Sequence, residues 1–440
     1  MSKFRENIWF LSGFFKKYSG LILGSVIFTV LLLVFGGFIY KKLPQNRKTI
    51  SVGIVGQFGS NQLPTKILNI LNSGLITLNE KFEPVPNIVE NWSISEDGRS
   101  YTFHLFSNKV WSDGKPLIAS DIKMSIPNIK IEALDPYTLK FFIPTRFSPF
   151  ISLLNIPLIN NDAKIAGEYS IKLKQKSSGI ITQITLQSSQ NKIVFYVYPT
   201  ARQALTAYKL GQVNTVLDLP TDLISDANSF GQITKQTDYS HVILLIFNQT
   251  DPNLKDKSVR QSLAYMLNDK TFGETEAFTT INPKSWSYNP IVKNYPFNPQ
   301  RAKELVKNKI SFELATTPEL LSVAEKIKSQ LDSDIFEINT KVVTSTPEQF
   351  QLFLTSFNIP TDPDQYREWH STQSTNVGRG SDEKLDKLLE DGRVTYDQKL
   401  RKVIYFDFQK TFAEELPALV LYHPSTFHLT RHPSNLEVLK

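Results

Sequence analysis

The chain of 440 residues contains no cysteine. That absence excludes a disulfide scaffold, thiol catalysis, zinc–thiolate sites and a lipid-modified N-terminal cysteine. An exported location stays open, because a chain of this length buries a large core without disulfides. Glycine is sparse at 19 residues, and only Gly36-Gly37 are adjacent, so there is no glycine-rich loop to cradle phosphates. Gly-x-Ser-x-Gly and His-Glu-x-x-His are also absent, which removes two common hydrolase signatures. A hydrophobic content of 41% and a charged content of 21% are those of a globular chain, neither largely disordered nor threaded many times through a membrane.

The body lacks an excess of either charge. The net charge of +7 sits before position 49, where Lys3, Arg5, Lys16, Lys17, Lys41, Lys42, Arg47 and Lys48 face the single acid Glu6. From 49 onward basic and acidic residues are equal in number, so nothing argues for a nucleic acid partner. Long apolar runs are equally scarce. The one exception extends from Tyr18 to Tyr40 without a charge. As a helix it would measure about 34 Å at roughly 1.5 Å per residue, enough to cross a bilayer core. It exceeds a signal-peptide core, and the bulky Phe38, Ile39 and Tyr40 offer no small-x-small cleavage site. A retained transmembrane anchor is therefore expected over a cleaved leader. Four basic residues flank each end, so charge alone does not orient it.

Residues 41–48 read as a polar linker, and the body that follows reads as mixed α/β. Strands are expected at 49–55, 101–106, 138–143, 192–198, 214–219, 241–247, 312–315, 336–343 and 418–422. Helices are expected at 66–78, 201–210, 258–267, 299–307, 319–331, 382–391 and 398–413. The strand–helix–strand order across 312–343 predicts a mostly parallel sheet.

Several blocks, in order, resemble the family 5 extracellular solute-binding proteins of peptide-type ABC transporters. They are Leu75–Trp92, the Asp97-Gly98 turn into Tyr101-Thr102-Phe103, Trp111-Ser112-Asp113-Gly114-Lys115-Pro116, Phe247-Asn248, Val259–Tyr265, Asp362-Pro363-Asp364, Asp386–Glu390 and Leu416–Leu419. The resemblance implies a periplasmic-binding-protein type II-like fold, two hinged α/β lobes around a ligand cleft. It places the body outside the membrane and residues 1–17 in the cytoplasm, with the anchor at 18–40. Lobe I is expected from 49–242 and 417–440, with an accessory subdomain trimmed between Asp121 and Asp135, and lobe II from 243–416. Peptide-binding members hold the ligand's amino group with an aspartate three residues before the Asp-Pro pair. Here that position is Ile359. An ammonium buried without a carboxylate is disfavoured, so recognition is expected to rest on apolar pockets and backbone hydrogen bonds.

Candidate ligand-binding residues cluster from Asn358 onward, Asn358 included. Tyr366, Trp369 and His370 supply flat amphipathic surfaces, and Asp364, Gln373 and Asn376 supply orienting polar groups. The same rings serve equally as core, with Asp362 capping the helix. Trp286, in a Pro-bounded aromatic loop, is a second wall or a loop packed on itself. Gln57 and Phe58 follow the first strand, where α/β sheets meet a crevice. His423, His428 and His432 have metal-ligand chemistry, but Pro424 and Pro433 break up the segment, so they read as ordinary histidines.

The expected function is capture of a peptide or peptide-like solute, without cofactor or metal, by a monomeric, single-pass, membrane-tethered and non-enzymatic protein that delivers it to an ABC permease. Two rivals stand beside it: a surface sensor or scaffold of the same fold, and a nickel-type metal-chelate binder.

Overall fold

The computed structural model describes residues 13, 16–21, 23–25, 29, 48–59, 63–124, 126–160 and 164–439. The expected cytoplasmic tail, anchor and linker fall largely outside the described residues. Among the described residues no helix is long and apolar enough to cross a membrane. The described residues up to 49 belong with 189–192 to one unit. Its described residues 16–21 and 23–25 are helical, and Leu21 and Leu23 are exposed.

The rest of the chain forms the second unit, built on two large sheets. The first has seven strands in the order Gln232–Thr237, Ser425–Thr430, Thr215–Leu219, Lys48–Val55, Asn191–Tyr198, Ile181–Gln187, Ser170–Gln175. The second has six, in the order Thr275–Glu276, Ala418–His423, His241–Phe247, Leu352–Asn358, Ile310–Thr316, Phe336–Val342. The run His241–Phe247, apolar after its histidine, lies between two strands, pairing Leu245 with Leu354 on one side and Leu419 on the other. Its two faces feed two separate cores, Leu245 with Phe312 and Leu314, and Leu244 with Phe353 and Phe412. A strand covered on both faces needs no polar alternation.

Side-chain caps begin the helices where the sequence supplies them. Thr200, Asp256, Asn298, Asp382 and Asp397 each accept a backbone N–H in the following turn. The last two open the antiparallel pair Glu383–Val394 and Gln398–Glu415.

Three expectations are corrected. The helix beginning near 66 ends at Leu71, because Asn72 adopts a left-handed conformation (φ 38°) and caps it. Leu75 and Leu78 belong to a different element, with Ile76–Leu78 pairing against Pro84–Pro86. The sheets are mixed rather than mostly parallel. Parallel pairing joins Lys48–Val55 to Thr215–Leu219, and Ile310–Thr316 to its two neighbours. The central strand His241–Phe247 is antiparallel to both flanking strands. Finally, Ala418–His423, expected with the first lobe, pairs inside the second sheet. The polypeptide passes between the sheets at 237–241 and 423–425, and these segments are joined by the Asp238 N–H donating to the Pro424 carbonyl at 2.8 Å.

A four-stranded antiparallel sheet, in the order Val89–Ile94, Ser100–Leu105, Thr138–Phe142, Lys130–Asp135, forms a small subdomain over its own aromatic core. Tyr101, Phe103, Phe141, Phe150 and Trp111 are its large buried side chains. The turn after Trp111 closes on Gly114, whose φ of 86° suits glycine. Trp111 itself is buried in this core.

Candidate functional site

Two connections bring the small subdomain against the helix pair 383–415. The first is the link between the helices. Its Tyr396 hydroxyl donates to the Gly98 carbonyl at 2.8 Å and accepts from the Phe147 N–H at 3.1 Å. Tyr101, whose hydroxyl donates to the Phe147 carbonyl, stands 3.0 Å from the same oxygen. Burial raises the Tyr101 pKa well above its ordinary value, so the hydroxyl keeps its proton. Gly98 carries φ 68° at the tip of the Asp97-Gly98 turn and leaves the space that the Tyr396 ring fills. The second connection is Ser148, which donates its N–H to the Arg393 carbonyl at 2.7 Å and its hydroxyl to the Gly392 carbonyl at 3.0 Å.

Beside these contacts lies a cavity of about 250 Å³. Trp92, Ile94 and Ile151 form its wall on the subdomain side, with Phe103 behind Trp92 at a ring separation of 6.2 Å. Trp286 and Tyr396 face it from the other side. Asp362 and Arg401 also line it, joined by two bonds of 2.5 and 2.9 Å. Both are nearly inaccessible, at 8% and 6% exposure. The Arg401 Nε is spent on the Gly392 carbonyl, and Ser152 donates to Asp362 at 3.2 Å. Burial opposes the Arg401 charge, yet the Asp362 carboxylate outweighs it and holds the guanidinium's pKa above its ordinary value. The Trp286 ring stands 5.8 Å from the guanidinium carbon. At the edge, Gln398 donates to Glu83 at 3.0 Å, bridging the two walls, and Asn79 holds the other Glu83 oxygen at 2.7 Å.

Of the residues expected from sequence, Trp286 lines this cavity. Asp364 and Tyr366 lie behind it and are occupied. Arg393 donates to Asp364 at 2.9 Å and is stacked between the Tyr366 and Phe147 rings, 4.3 and 5.1 Å away. Burial lifts the Asp364 pKa even against the nearby guanidinium. His370 is buried, stacked on Tyr366 at 4.1 Å and bonded to the Thr372 hydroxyl at 2.9 Å. Trp369 and Asn376 border a different cavity of about 260 Å³, shared with Gln249, Lys257, Arg260 and Asp382. Trp369 donates to Gln365 at 3.0 Å, and Asn376 ties the loop by donating to the Trp369 and Gly380 carbonyls. Gln373 bonds to its neighbour Thr372. Asn358 is exposed at the end of its strand. Gln57 is exposed and Phe58 half-buried against the first sheet's core, both away from the 250 Å³ cavity. His423 and His428 lie on strands of different sheets, bonded to the His241 carbonyl and the Asp218 N–H. Among the described residues no cluster of three or more metal-ligating side chains forms.

Sequence reasoning missed Trp92, Tyr396 and Arg401 as lining residues. The repeated aromatic and Asp-Gly signals at 92–103 were visible, but nothing local pairs them with positions near 400.

Comparison with known proteins places this architecture. Residues 83–179 and 188–377 match the model of the bacterial extracellular solute-binding proteins, family 5. The probable di/tripeptide-binding protein 5 of Pseudomonas aeruginosa is 24% identical, over 79% of this chain and 83% of its own length. The substrate-binding protein CtaP of Listeria monocytogenes superposes with a TM-score of 0.73 at 19% identity, over 88% of this chain and 94% of that one. NikZ of Campylobacter jejuni, solved with Ni(L-His), gives 0.69 at 20% identity, over 87% and 94%. These neighbours share the two-lobed periplasmic-binding-protein fold. The chain belongs to the family 5 bacterial extracellular solute-binding proteins, which are binding proteins and not enzymes.

Proposed function

We propose that this protein is the ligand-capturing component of an ABC importer, holding a short peptide or peptide-like solute between its lobes and passing it to a membrane permease. The observation that carries the reading is the cavity between the small subdomain and the helix pair, with aromatic walls and bridging polar contacts at its edge. Concave sites with apolar walls and few oriented polar groups are where small ligands bind. The names of relatives such as the di/tripeptide-binding protein point to the same ligand class. The passages at 237–241 and 423–425 supply the hinge about which two lobes close. In this reading the apolar segment 18–40 tethers the body outside the membrane. The metal-chelate alternative draws less support, since His423 and His428 already serve the chain's own backbone.

A pooled di- and tripeptide library tests the reading. Saturating peptide at one hundred times Kd raises apparent stability by about 2.7 kcal/mol, a readily measured melting shift. Small-angle scattering should show the body contract in the same samples. If no peptide pool moves either signal, the capture reading is wrong.

A further inference from the structure

We infer that the 250 Å³ cavity is a specificity pocket for a single uncharged side chain, aromatic or large aliphatic, so that the preferred solutes are short peptides bearing one such residue. This deepens the peptide reading above and rests on it. Size comes first. Pockets that enclose whole small molecules run from about 300 to 1,000 Å³. The cavity's volume falls just below that range, which suits one side chain better than an extended oligopeptide.

Charge comes second. The buried charges of the pocket are already spent on each other, Arg401 giving two bonds to Asp362 and its third to a carbonyl. An aspartate side chain entering here loses its water and finds the one buried cation already paired, a strongly unfavourable exchange, and a lysine reaching past the edge meets an aspartate already neutralised. At the edge, Glu83 accepts from the neutral amides of Asn79 and Gln398, so its charge stays at the rim and outside the apolar part of the pocket.

Shape comes third. Trp92 and Trp286 both line the cavity, with Ile94 and Ile151. A flat ring entering against these indoles gains both area burial and ring–ring contact, whereas an alanine methyl leaves most of the volume empty.

The test uses the full-length protein in detergent and alanine tripeptides carrying one Phe, Leu, Lys or Asp at each position in turn, with calorimetric Kd as the readout. The Phe and Leu peptides are expected to bind roughly 10- to 100-fold tighter than trialanine, in line with burial of one large side chain. The Lys and Asp peptides are expected to bind no better than trialanine. Trp92→Ala should erase the Phe preference, bringing the Phe peptide down to the affinity of trialanine measured on the same variant. Should Trp92→Ala disturb the fold, Ile94→Lys serves instead, since it places a cation in the wall and should admit the Asp peptide while weakening the Phe peptide. Peptides that bind regardless of side chain, or a Phe preference that survives both substitutions, would overturn the specificity pocket and leave peptide capture standing. Binding by none of the tripeptides would overturn both.

Discussion

The Tyr396 ring occupies the place where a side chain on Gly98 would stand. A β-carbon built there falls 2.7 Å from the ring, and the same tyrosine's hydroxyl donates to the Gly98 carbonyl at 2.8 Å. Residues 298 positions apart thus form one joint between the small subdomain and the helix pair. Gly98→Ala meets two penalties, the ring and a φ of 68°. It should cost about 1–3 kcal/mol. Tyr396→Phe keeps the ring and strands the Phe147 N–H, which should cost about 1–3 kcal/mol if water does not replace the hydroxyl. Urea melts of both variants check the joint. Equal stability to wild type in each would show that the subdomain docks without it.

The Asp362–Arg401 pair predicts an asymmetry. Removing one partner leaves the other charge buried, so Arg401→Met alone should destabilise by about 3–5 kcal/mol. The double variant Asp362→Leu/Arg401→Met removes both charges and should recover much of that loss. Denaturant unfolding of the single and double variants forms the cycle. Losses that simply add would mean the two groups act independently.

Much of this organisation was legible locally. The run His241–Phe247 reads as a buried strand because every position after His241 is apolar, and those six residues are buried on both faces. The capped helices at 257, 299, 383 and 398 announce themselves through Asp or Asn one residue earlier. The site was less legible. Arg401 sits between Lys399 and Lys402 and reads as one more cation on an exposed helix, until Asp362, 39 positions earlier, draws it inward. Trp369, His370 and Asn376 read as ligand groups because they are aromatic or polar in the segment that the resemblance assigns to the cleft. The segment uses them on itself, Trp369 on the Gln365 side chain, His370 on the Thr372 hydroxyl and Asn376 on the Trp369 carbonyl. Composition reveals which groups have binding chemistry, but distant pairing decides which are free to use it.

The partly open cap of the helix pair offers a simpler check. Asp382 accepts the Leu385 N–H at 2.8 Å and borders the 260 Å³ cavity that holds Trp369. Asp382→Ala should cost about 0.5–2 kcal/mol through the lost cap. It should leave peptide Kd unchanged, because this cavity is separate from the one holding Trp92. Calorimetry that shows a large loss of peptide affinity would move the binding site to the Trp369 cavity.

The passage between the sheets should make stability depend on pH. Asp238 and His241 pair at 2.7 Å within it. The bond to Asp238 raises the His241 pKa, with burial opposing. Burial would raise Asp238, but its bonds from His241 and Ser240 prevail and lower it to about 2. The two signs differ. The histidine's share of stability is complete below its unfolded value near 6.5 and disappears as pH rises through the higher folded value. The aspartate's share is complete above its unfolded value near 3.9 and disappears as pH falls towards 2. Both operate together from about pH 4 to somewhat above 6.5. The pair is half-exposed, so screening limits its worth to about 0.5–1 kcal/mol. Comparing wild type with Asp238→Asn should show the largest gap near pH 5–6, narrowing towards pH 9 and towards pH 3. His423, bonded to the His241 carbonyl with its pKa lowered by burial, is present in both proteins. Charging it costs both of them stability as pH falls below about 6.5. Only the difference between the two curves therefore reports the pair, and a difference that stays flat from pH 5 to 9 would show that His241 carries no charge-dependent share of stability.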